Sequence, residues 1–193
     1  MKHQEKMDAA TAGGAMVSKG GAQAEGAEAH GTYHAVLRDK DGNVKWEEDF
    51  ENLVTTVGKN AALDAFLASG YTLVGPYMGL INTNASAAAV GDTMASHAGW
   101  LEVGATNAPA YTAPRKTIAF SAAAAGAKAS TGTYTFVFTS GGTVGGCYLV
   151  FGTGALSTID NTAGVLYSAG AFTGGSKTVA ATDSLTVTYT ASL

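Results

Sequence analysis

The chain has 193 residues, enough for one sizeable core without requiring a second domain. Charged residues make up 13%, about half of the roughly 25% usual in soluble domains, and the formal net charge is −4. With no cluster of Lys and Arg, that balance argues against nucleic-acid binding, because a phosphate-tracking face needs concentrated positive charge. A surface so poor in charge is prone to association, so self-association or a protein partner is expected. No apolar run approaches the roughly 20 residues of a membrane span. Met1 to Asp8 leads into no apolar signal core, so synthesis in the cytoplasm without membrane insertion is the expectation.

Residues 1–30 form a zone of their own. Thirteen of the thirty are Ala or Gly, and Phe, Tyr, Trp, Leu and Ile are absent, so too little apolar surface exists to offset the entropy of ordering. The reading is a flexible N-terminal arm, followed by a β-rich domain over residues 31–193. That domain opens with alternating runs on either side of Asp41-Gly42, which predicts a hairpin. Thr55 or Thr56 then caps a predicted helix reaching about Ala68, with Leu63, Phe66 and Leu67 expected on its inner side and Gly58 weakening its first turn. A buried strand is expected over 73–81, and strand resumes over 116–120. Four or five more follow, over 132–139, 144–152, 164–171, 177–180 and 184–191.

The clearest of these carry period-two patterns. Tyr134, Phe136 and Phe138 alternate with threonine and valine, and Leu185, Val187 and Tyr189 alternate with Thr186, Thr188 and Thr190. Many short strands, glycine-rich turns and one early helix predict a mainly β protein, an antiparallel β-sandwich or jelly-roll-like domain.

Chemical motifs are sparse. Asp39, Asp41 and Asn43 open like a calcium loop, but Val44 stands where that loop needs Gly and Phe50 where it needs Glu. Asp92, Ser96 and His97 are the residue types of a hydrolase triad, yet they lie within six residues, whereas a triad draws its groups from separate elements. His3, His30, His34 and His97 lack metal-ligand spacing, and one cysteine, Cys147, sits in an apolar strand as a small core residue. The run Glu47, Glu48, Asp49 and Glu51 reads as a solvated strand edge that discourages edge-to-edge pairing. No catalytic residue, metal or cofactor is expected.

Several phrases together resemble a known group: Tyr33 to Trp46 (YHAVLRDKDGNVKW), Asn52 to Asn60, Gly75 to Ile81, Gly91 to Trp100, Leu166 to Gly175, and Asp183 to Thr190. They are similar to small structural proteins of tailed bacteriophages, over about residues 31–193. The resemblance implies a virion component, foremost a capsid cement or decoration protein on the shell exterior that bridges major capsid protein subunits. It implies self-association too, a trimer among the arrangements open. On that reading residues 1–30 reach across subunits, with Met7, Met16 and Val17 as the arm's apolar anchors. The competing reading is a tail-, collar- or fibre-associated protein, in which Trp100, Tyr77 and Tyr111 are the candidate sugar-stacking platforms, although core packing is the favoured use of each. A polysaccharide-degrading enzyme is disfavoured by the charge-poor C-terminal region.

Overall fold

The computed structural model describes residues 28–67, 71–82 and 88–193. Met7, Met16 and Val17 lie outside the described residues, as does Ala68, the expected end of the helix. The chain pattern written in alternating residues forms two antiparallel sheets. In the first, β1 (His30–Arg38) lies between β2 (Val44–Glu51) and β13 (Ser184–Ser192). β13 in turn pairs with both β7 (Ala127–Ala129) and β8 (Tyr134–Val137). The second sheet runs β3 (Leu53–Val54), β11 (Val165–Ala171), β10 (Gly146–Phe151), β4 (Tyr77–Ile81) and β5 (Glu102–Val103), with β6 (Lys116–Thr117) also on β4. A separate ribbon pairs β9 (Gly142–Val144) with β12 (Lys177–Val179). The protein is mainly β, as the alternation predicts.

The two sheets face each other across one core. Tyr33, Leu37, Phe50, Phe136 and Val187 of the first meet Met78, Leu80, Cys147 and Leu149 of the second. Their burial follows from the period of two: on β13, Leu185, Val187 and Tyr189 point in while the threonines between them are part-exposed. β10 departs from that pattern, because all six of its residues are buried. Its second face packs Tyr148 and Val150 against Met94, Trp100, Ala155 and Leu166. A strand covered on both sides loses the polar alternation that exposure imposes. β1 begins at His30, paired with Ser192, so the folded body starts one residue before the expected boundary.

The hairpin forms, though not through a two-residue primed turn. Asp39 and Asn43 close a three-residue loop in which Gly42 takes φ 86°. Asp39 accepts hydrogen bonds at Oδ1 from the Asp41 and Asn43 backbone N–H groups, both at 2.9 Å. The Asn43 side chain and backbone hold its carboxyl below the usual range. These groups fold a turn.

The helix α1 (Thr56–Leu67) starts at Thr55, whose Oγ1 accepts from the Gly58 N–H at 3.0 Å and donates to the Leu166 carbonyl at 2.5 Å. Its orientation is opposite to the expected one. Gly58 and Ala61 face β11, while Leu63, Phe66 and Leu67 are 57%, 85% and 75% exposed. At 3.6 residues per turn the two sets lie roughly 160° apart, so the helix cannot bury both. Gly58 decides which is buried: a Cβ there would stand 2.5 Å from the Tyr167 carbonyl oxygen. The glycine that would weaken a free helix is what lets this one approach the strand.

Candidate docking surface

The acidic edge is only partly solvated. Glu47 and Asp49 flank His34 on the outside of the first sheet, with His34 Nδ1 2.8 Å from Asp49 Oδ1 and Nε2 3.6 Å from Glu47 Oε1. Glu48 turns the other way, as the pleat requires, and is not a solvated edge group. Its Oε1 accepts from Thr173 Oγ1 and from the Thr173 N–H, the latter at 2.6 Å, and Lys177 Nζ lies 3.9 Å from Oε2. Burial opposes ionisation of Glu48, but the Thr173 hydrogen bonds and the Lys177 ammonium outweigh it and hold its carboxyl below the usual range.

Asp92, Ser96 and His97 serve a loop around Trp100. Asp92 Oδ2 accepts from Trp100 Nε1 at 3.1 Å and from the Ala89 N–H at 3.0 Å. His97 donates from Nδ1 to the Trp100 carbonyl at 2.9 Å and stacks on the indole at 3.7 Å. The Ser96 backbone closes a turn with Thr93. Asp92 and His97 are thus spent on Trp100 rather than on each other. Trp100 is 1% exposed and Tyr111 3%, so neither offers a ring face to a sugar, and both take the core role favoured for them. Tyr77 is half-buried. Cys147 is buried at the sheet interface, and burial pushes its thiol pKa up, which keeps it protonated and inert.

One polar cluster escaped the sequence reading. Arg115 and Glu102 are both buried, and they meet in a bidentate pair, Nε to Oε1 at 2.8 Å and Nη2 to Oε2 at 2.6 Å. Tyr148 donates to Glu102 Oε1 at 2.5 Å and the Asp160 N–H donates to Oε2 at 2.8 Å. Arg115 also donates to the Leu156 and Asn161 carbonyls at 2.9 and 2.7 Å. Burial works against the guanidinium charge, yet the Glu102 carboxylate and its hydrogen bonds raise the Arg115 pKa above its ordinary value. Every partner is internal, so the cluster ties the irregular segments 104–115 and 156–161 to β10. The available signal was an Arg directly after Pro114 in a stretch poor in charge.

Around the outer face of α1 the surface is apolar. Leu63 and Phe66 of α1 stand over a groove of about 530 Å³ whose floor includes Tyr167 and whose far side is formed by Ala29 and Leu193. Leu67, one turn beyond Leu63, and Leu193 at 73% exposure extend the patch. On its other side Tyr167 lines a second apolar hollow of about 180 Å³ at the open end of the sandwich, with Leu73, Phe120 and Phe151. Lys59 sits at the rim of the first hollow and Lys128 at that of the second. Isolated exposed leucines are ordinary, whereas a contiguous group of this kind marks a contact surface. Burying Phe66 alone would contribute about 1.5–3 kcal/mol.

Searches against protein-family models, curated proteins and solved structures give no match to this chain.

Proposed function

We propose that this protein is an adhesive structural component of a virus particle, a capsid cement protein that sits on the shell exterior and bridges major capsid protein subunits. The observation that carries the reading is the apolar patch of Leu63, Phe66, Leu67 and Leu193 beside Ala29. It puts a binding surface and the root of the N-terminal segment at one place on the molecule. A body whose polar face carries Glu47, Asp49 and the threonines of β13 would turn that face to solvent and press α1 against the shell. The resemblance of residues 31–193 to tailed-phage structural proteins supports the same reading. Several such contacts around a symmetry axis would add through effective concentration, so each can be weak.

The test is co-sedimentation with particles stripped of this protein. Wild type is expected to rebind in hundreds of copies and to raise the temperature at which DNA escapes. Phe66→Asp is expected to fold and fail to rebind, and removal of residues 1–27, which spares Ala29 and β1, to abolish rebinding as well. Full rebinding by Phe66→Asp would overturn the assignment of the patch, and a handful of copies per particle would place the protein on the tail instead.

A further inference from the structure

Two apolar hollows share Tyr167 as a wall: the groove beside α1, and the hollow of about 180 Å³ at the open end of the sandwich, among Leu73, Phe120, Leu149 and Tyr189. The end of β13 runs along both, through Leu193 in the first and Ala191 in the second. Phe66 projects from the rim of the first with 85% of its surface exposed. We propose that these features are the two halves of a contact between two copies of this chain, in which each copy seats Phe66 in the other's hollow about a two-fold axis near Tyr167. The free protein is then a dimer that keeps the adhesive face assigned above covered until a shell competes for it. Dimerisation is a property of the protein in solution and does not depend on the particle reading.

Three observations select a second copy as the occupant. The first is shape. An apolar cavity of about 150 Å³ stays dry and takes up a benzene ring, so a hollow of about 180 Å³ has room for one phenyl side chain. Its rim suits an aromatic group, because Lys128 Nζ already lies 5.9 Å from the centre of the Phe120 ring and no carboxylate lines it among the described residues. Phe66 of the same chain lines the groove on the other side of Tyr167 and not this hollow, so the ring that enters comes from another molecule.

The second is symmetry. A two-fold contact requires a patch complementary to itself, so that residue i meets j and j meets i. Knob and hole lie side by side across Tyr167, and one rotation seats both rings at once. On opposite faces of the molecule they would build an open chain of copies instead. The third is area. The exposed parts of Leu63, Phe66, Leu67, Leu73 and Leu193 come to roughly 600 Å² at the scale of a large side chain. Each partner in a stable interface of standard size contributes about 800 Å², and Ala29, Ala62 and Ala191 beside them supply the balance. A chain this poor in charge offers little repulsion against such a contact.

Sedimentation velocity on the full chain tests this with one variant of the knob and one of the hole. Wild type is expected to be a dimer in the micromolar range. Phe66→Lys and Leu73→Glu alter exposed side chains, so both are expected to keep the wild-type circular-dichroism spectrum. Each is expected to weaken dimerisation at least about a hundredfold, because each removes both ring insertions. Mixed in equal amounts, the two are expected to form a 1:1 heterodimer about tenfold or more tighter than either homodimer. In that pair Phe66 of the Leu73→Glu chain meets the unaltered hollow of the Phe66→Lys chain, and at the second contact the introduced charges are opposite. Wild type that stays monomeric, a dimer that survives either substitution, an assembly larger than two, or a mixture that stays monomeric would each overturn the proposal.

Discussion

Arg115 grips Glu102 through two parallel hydrogen bonds, of 2.8 and 2.6 Å, with Arg115 1% and Glu102 6% exposed. Such a pair is costly to assemble and more costly to halve, because the surviving charge remains buried without its partner. Arg115→Met and Glu102→Gln are each expected to destabilise the fold by about 3–5 kcal/mol in urea unfolding. Joint replacement by apolar residues is expected to recover part of that loss, since the desolvation cost vanishes with both charges. A double-mutant cycle measures the coupling, and additive losses would count against a direct pair.

Gly58 is expected to resist even the smallest side chain. Alanine raises helix propensity, but here its Cβ meets the Tyr167 backbone at 2.5 Å to oxygen and 2.8 Å to Cα. Overpacking of this kind costs about 1–3 kcal/mol, more than the propensity gained. Gly58→Ala should lower the melting temperature, whereas the same change at exposed Gly91 should not.

Glu48 makes stability depend on pH. Its folded pKa is depressed, so its ionised form stabilises the fold above the unfolded value of about 4.3, and the contribution disappears as pH falls through the folded pKa. Glu48→Gln is expected to cost about 1 kcal/mol at neutral pH, through weaker bonds to Thr173 and loss of the Lys177 partner. The difference in melting temperature between wild type and variant should shrink as the pH is taken below about 4.

Cys147 is expected to be silent to thiol reagents in the native state. Burial raises its pKa and withholds the thiolate that would react. Labelling at pH 8 should follow the rate of global unfolding and accelerate with urea; labelling at the rate of a free thiol would contradict the burial.

How much of this was legible in the chain depends on the range of the interaction. β8 and β13 announce themselves through alternation, the hairpin through Asp41-Gly42, and α1 through its Thr55 cap, all signals confined to a few neighbouring residues. The face that α1 buries was misread because large apolar residues are the usual inner side of a helix. Here Gly58 and Ala61 win by permitting a close approach to β11, a fact about Tyr167, more than a hundred positions away. β10 hid its second buried face for the same reason: the covering comes from Trp100 and Leu166. Glu102 and Arg115 gave no local sign of pairing, because the turn joining them is irregular and their other partners lie beyond residue 147.

The pairing of β1 with β13 runs the full length of both strands, from His30 opposite Ser192 to Arg38 opposite Ser184. A ribosome making this chain must therefore finish residues 184–192 before the middle of the first sheet has anything to hold it. Until then β1 lacks one of its two neighbours and β8 lacks its partner on β13. Fragments that end before Ser184 should accumulate as aggregates or be degraded, because β1 and β8 would each present an unpaired edge.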